Sequence, residues 1–190
     1  MEKTNKSFLE DLEELTPKEI EDAVDIATIR TCVAFSDYKE LEELLSGKTP
    51  ADAKRLVNEK DAFDLGAPVH VAAQKDDVRM LRLLGKYGAD FNAKTETSGF
   101  TPLMVAIECE SFKAFKYLLS VGVKKTIRNK KGLTAKQRLT QIIQESKDII
   151  SGNQRTVLPY RTVLPYYKNR LKTQKKWAKI LTQSNQHVKD

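Results

Sequence analysis

The residues able to do acid–base, nucleophilic or metal chemistry are few in this chain of 190 residues. Histidine occurs only as His70 and His187, and cysteine only as Cys32 and Cys109. No pair of them has the close spacing of metal-ligand motifs. Gly47-Lys48-Thr49 copies the end of a phosphate-binding loop, but Glu42 stands where the loop needs its earlier glycine, and no strand precedes it. The carboxylates of 10–25 and 40–43 sit in helical, polar frames and read as solvated faces. No nucleophile, base and orienting acid can be assembled. The expectation is a non-enzyme with no cofactor, no metal and no small-molecule substrate.

What the residues do show is a repeat. The stretch GAPVHVAAQKDDVRMLRLLGKYGADFNAK runs from Gly66 to Lys94, and GFTPLMVAIECESFKAFKYLLSVGVKKTIRN from Gly99 to Asn129. Pro68 and Pro102, Ala72 and Ala106, Leu84 and Leu118, and Gly88 and Gly122 are each 34 residues apart. A period near this length points to a stacked solenoid. Each proline suits a first helical turn, where no N–H is needed. A short apolar helix follows, then a polar break at Asp76-Asp77 or Glu110-Ser111, then a second helix ending at glycine. Neither helix pair can bury its apolar face alone, so the copies must stack.

Gly99-Phe-Thr-Pro-Leu-Met-Val-Ala106 and Tyr87-Gly-Ala-Asp-Phe-Asn-Ala93 resemble the ankyrin repeat. The resemblance implies an all-α solenoid of three to four repeats. It also implies a hydrogen-bonding threonine and histidine in each copy. Here Ala67 replaces the threonine of the first copy, which keeps His70, and Met104 replaces the histidine of the second, which keeps Thr101. Stability below that of a consensus array is expected.

The rest of the chain extends this centre. Thr16-Pro17-Lys18-Glu19 is a capping box that starts a helix through Ile20, Val24 and Ile26. Residues 1–28 therefore read as an acidic helical cap, with a short amphipathic helix over 8–15. Residues 29–61 read as a degenerate repeat with an insertion and a short extra helix after Thr49. Repeats follow at 62–95 and 96–128, and a polar capping repeat at 129–150. The tail, 151–190, holds the tandem Arg155-Thr-Val-Leu-Pro-Tyr160 and Arg161-Thr-Val-Leu-Pro-Tyr166. Threonine and valine before proline favour extended chain there. A basic helix with a ragged apolar stripe is expected over 167–184.

Charge separates the two ends. Residues 1–45 carry 13 acidic and 5 basic side chains, and residues 123–190 carry 17 basic and 3 acidic. No apolar run reaches membrane-spanning length, and the N-terminus has no apolar leader core. Two cysteines make no disulfide framework, so a reducing, intracellular and cytoplasmic setting is expected, with a nuclear or assembly-bound one as the variant.

The resemblance implies binding through finger tips and the open side of the first helices. It assigns Phe63, Asp64, Gly66, Gln74 and Lys75 in one repeat, and Thr97, Ser98, Phe100, Glu108 and Cys109 in the next. Lys130, Lys131, Leu133 and Gln141 follow. Phe63 and Phe100 are the strongest contact candidates, unless they pack between fingers. The expected function is a non-catalytic protein-interaction scaffold or adaptor, a subunit of a larger assembly anchored by its basic arm. The anchoring residues are Arg155, Arg161, Lys168, Arg170, Lys172, Lys175, Lys176, Trp177 and Lys179. Interleaved with Tyr160, Tyr166, Tyr167 and Trp177, these cations also suit nucleic acid, through stacking and charge, or an acidic protein surface. An ankyrin-type effector secreted by an intracellular microbe is a further alternative.

Overall fold

The computed structural model describes residues 16–60, 66–152 and 160–183, with only the backbone of 160–164. Phe63, Asp64, the amphipathic stretch 8–15, Arg155 and the first RTVLPY copy up to Pro159 lie outside the described residues. The chain forms helices α1 (Pro17–Phe35), α2 (Tyr38–Ser46), α3 (Pro50–Leu56), α4 (Pro68–Gln74) and α5 (Val78–Lys86). Then come α6 (Pro102–Glu108), α7 (Phe112–Ser120), α8 (Ala135–Ile150) and α9 (Tyr160–Gln183).

Helix starts follow local chemistry. The Thr16 hydroxyl accepts the Glu19 N–H while Glu19 reaches back to the Thr16 N–H, and Thr134 and Gln137 repeat the arrangement. Thr49 and Thr101 cap α3 and α6 by accepting from Asp52 and Met104. Ala67 cannot, and α4 begins with no side-chain cap.

The helices lie in two layers. First helices α1, α4, α6 and α8 stack in succession, and second helices α2, α5 and α7 stack outside them. Between each first helix and its partner the backbone turns left-handed at Ser36, Asp76 and Glu110, with φ of 59°, 57° and 58°. The same turn at Ser36 sets α1 and α2 in the relation that the later helix pairs have, and both pack on the next pair. The α3 insertion lengthens this first unit without displacing the next repeat.

Polar side chains stitch neighbouring breaks together. Asp77 accepts from Ser36 Oγ and Tyr38 OH, both at 2.9 Å. Asp76 accepts the Ala114 N–H at 2.7 Å, and Ser111 Oγ donates to the Gln74 carbonyl at 2.8 Å. A second ladder ties the finger bases. Asn58 accepts from Asp90 N at 2.7 Å, and Asn92 accepts from Lys124 N at 2.7 Å.

The tail departs from its expected form. The chain is helical from Tyr160, the last residue of the first RTVLPY copy, so the whole second copy lies in α9 with Pro165 inside it. Proline there forfeits one helical bond. Packing further along offsets that loss: Trp177 and Leu181 are buried to 1% and 2% exposure. The Trp177 ring stacks on Phe115 at 4.7 Å and Phe112 at 5.8 Å. Gln174 accepts from the buried Ser146 of α8 at 3.1 Å. Helix α9 thus fills the second-helix place beside α8 and completes a fourth two-helix unit. It is part of the array and not a detached arm.

Candidate protein-binding surface

The finger turns and the C-terminal ends of the first helices form the open face. Gln74 and Lys75 are exposed at the end of α4, Cys109 just beyond α6, and Gln141 on α8. Glu108 is half-buried because Arg138 clamps it through Nε and, at 3.1 Å, through Nη2. Arg138 also reaches Glu145 at 3.1 Å, so α6 and α8 are joined by a charged bracket. Thr97, Lys130 and Lys131 are exposed, while Ser98 and Leu133 are half-buried. The fingers abut: Lys130 N–H donates to the Ser98 carbonyl at 3.0 Å. A Cβ added to Gly99 would come within 2.9 Å of that nitrogen.

Three of the expected contact residues turn inward. Gly66 is buried at φ 75°, and a Cβ there would lie 2.8 Å from His70 Nδ1 and 2.9 Å from Thr95 Cγ2. Its role is close packing. Phe100 is half-buried against the core, and its N–H donates to Thr95 Oγ1 at 3.0 Å. Its ring packs partly on the core, so Phe100→Ala would cost stability. Trp177 is buried to 1% exposure and stacks on Phe112 and Phe115, so no ring face is left to stack on a base.

His70 holds the finger in place. Its Nε2 lies 3.1 Å from both the Ala93 and Phe100 carbonyls, so that N–H is shared between them. Nδ1 lies 3.2 Å from the Ala67 carbonyl. Burial pushes the ring's pKa below its ordinary value. Cys32 is buried, and burial with the neighbouring Glu40 carboxylate raises its thiol to about 11, far from a nucleophile's range. Burial also raises the exposed-side Cys109 thiol. Among the described residues no group of three or more His, Cys, Asp or Glu side chains could hold a metal ion. No described helix is long and apolar enough to cross a membrane.

Residues 31–129 match the family model described as ankyrin repeats, in three copies. The chain belongs to the ankyrin repeat family. Over 73 residues it is 38% identical to NF-kappa-B inhibitor cactus of Drosophila yakuba, a match covering 38% of this chain and 14% of that protein. The ankyrin repeat domain of Bcl-3, described as a unique member of the IkappaB protein family, superposes with a TM-score of 0.51 at 19% identity. That match covers 58% of this chain and 45% of the solved one. The chain therefore spans only a minor part of both relatives. Ankyrin repeats are protein-interaction modules, and this array of helix pairs has the same form.

Of the cations expected in the tail, Lys168, Lys172, Lys175, Lys176 and Lys179 are exposed on α9. Arg170 meets Glu110 of the third repeat at 2.5 Å. Its Nε–H is not aimed at that oxygen, so the contact is an ion pair without a hydrogen bond, and it helps dock α9. The side chain of Arg161 lies outside the described residues. A second group of cations escapes a reading of the tail alone: Arg79 and Arg82 on α5, Lys113 and Lys116 on α7. Arg79 and Lys113 are 34 apart, as are Arg82 and Lys116, so the repeat period itself carries the signal.

Proposed function

We propose that this chain is a non-catalytic ankyrin adaptor that captures an NF-kappa-B protein across its open face. The fingers, at Thr97, Ser98, Lys130, Lys131 and Leu133, and the first-helix ends, at Gln74, Lys75, Glu108, Cys109 and Gln141, are the contact surface. The observation that carries the reading is the alignment of these exposed helix ends, one repeat after another, in a chain with cactus-like sequence. Area of this kind binds through a few anchors, so single finger residues matter unequally. The role as a subunit of a larger assembly, and a cytoplasmic setting, rest on the same reading. Attachment to nucleic acid through Lys168, Lys172, Lys175, Lys176 and Lys179 would have exposed Tyr166 as a stacking ring but not Trp177, which is buried.

The test is isothermal titration of the full chain with a purified NF-kappa-B protein. Binding with a dissociation constant below about 1 μM is expected. Lys130→Glu with Lys131→Glu weakens it by about tenfold or more if the fingers steer the encounter. Absence of binding at tens of micromolar, with the array folded, overturns this choice of partner. Binding unaffected by the finger substitutions overturns the surface.

A further inference from the structure

We infer that the outer layer of second helices carries a separate docking cleft for an acidic, apolar peptide segment. It lies on helices α5, α7 and α9, away from the fingers, and goes beyond the function proposed above. Arg82, Lys113 and Lys116 rim a cleft of about 390 Å³ whose floor is Val78, Phe112 and Tyr117. Arg79 lies one helical step before Arg82, and Lys176 of α9 extends the rim.

Four of the five cations, all but Lys113, are held over rings, and none is neutralised by a described carboxylate. The Arg82 guanidinium lies 5.7 Å from the Tyr117 ring centre. Lys116 and Lys176 lie 5.7 Å and 5.2 Å from the Phe112 centre. Arg79 sits 4.1 Å over Tyr38. Stacking over a ring holds a cation in place yet leaves its charge available. None of the five forms an ion pair with a described carboxylate, whereas Lys86 pairs with Glu42 at 2.6 Å and Arg170 with Glu110. The band ends at the first repeat, where α2 presents Glu40, Glu42 and Glu43.

This chemistry selects between two polyanions. The Phe112 face is stacked on Trp177, and Phe112 and Tyr117 each have a cation over the ring, which leaves Val78 and the ring edges for apolar side chains and no open face for a base. A phosphodiester strand would use the cations and waste the apolar floor. A segment with glutamate or aspartate flanking leucine or phenylalanine uses both. Three helices at about 10 Å spacing span roughly 30 Å, or about nine extended residues at ~3.4 Å each.

The probe is a fluorescein-labelled peptide of about nine residues alternating glutamate and leucine, titrated into the full chain by anisotropy. Single-stranded oligouridylate of equal charge is titrated alongside. The peptide is expected to bind, and Arg82→Glu with Lys116→Glu to weaken it about tenfold, as reversing two rim charges should. Replacing the peptide's leucines by serine is expected to weaken it by at least about fivefold, since the apolar floor then goes unused. Arg82→Gln with Lys116→Gln keeps the test sound if the double reversal impairs folding, with a smaller loss in the same direction. Peptide binding that is absent, or indifferent to both the leucines and the cations, overturns the inference. Tighter binding of the oligouridylate, lost in the same variants, also overturns it and assigns the cleft to nucleic acid.

Discussion

Trp177 is the only tryptophan in the chain, and it decides whether α9 belongs to the array. Its ring is buried to 1% exposure against Phe112 and Phe115 of α7. Burying an indole removes roughly 200 Å² from water, worth about 5 kcal/mol as an upper bound. Stacking on Phe115 and Phe112 adds to this. The indole N–H has no partner among the described residues, and an unpaired buried donor takes back about 1–3 kcal/mol. The net expectation is that Trp177→Ala costs about 3–5 kcal/mol, while Trp177→Phe costs only about 1–2 kcal/mol because it also removes the orphan donor. Urea unfolding followed by far-ultraviolet circular dichroism measures both. Native fluorescence gives a check without mutation: a docked indole emits to the blue and resists acrylamide, then shifts red on unfolding. A loss under about 1 kcal/mol for Trp177→Ala, or a native emission like that of free tryptophan, would refute the docking of α9.

Two further predictions concern the incomplete threonine–histidine pairs. Ala67 has φ −68° and ψ 159°, close to the −82° and 161° of Thr101, which caps α6. Ala67→Thr should therefore stabilise the chain by about 0.5–1.5 kcal/mol, seen as a higher urea midpoint, and a lower midpoint would mean the hydroxyl does not fit. For His70 the sign follows from its depressed pKa. The unfolded chain takes up the proton first, so stability present above about pH 6.5 is lost as pH falls. His70→Gln should flatten the stability profile between pH 7 and about 5.5, and an unchanged slope there would remove His70 as the cause.

The helix starts and the repeat period were legible because both are local. Thr16–Glu19 and Thr134 with Gln137 are short-range devices that a sequence states outright. The place of α9 was not legible. Trp177 meets Phe112, 65 residues earlier, and the buried Gln174 interrupts the apolar stripe that would have marked a packing face. The RTVLPY tandem argued for extended chain, yet a local preference of this size yields to the burial of an indole. Phe100 misled for a similar reason. A finger aromatic looks like a contact residue until its ring is seen to pack partly on the core, a contact that sequence alone does not state.

Periodicity alone cannot separate framework from binding surface in such an array, because both recur every 34 residues. Asn58 and Asn92 are one period apart, and so are Arg82 and Lys116. The asparagines spend their polar atoms on the next repeat's backbone. The cations meet no described carboxylate and rest over rings at the surface. A repeated residue whose polar groups are consumed within the stack is fixed by stacking. A repeated charge left unpaired contributes little to the stack and keeps its field for something outside it. By that criterion the finger bases and helix breaks belong to the framework, and the outer cations remain free for a partner.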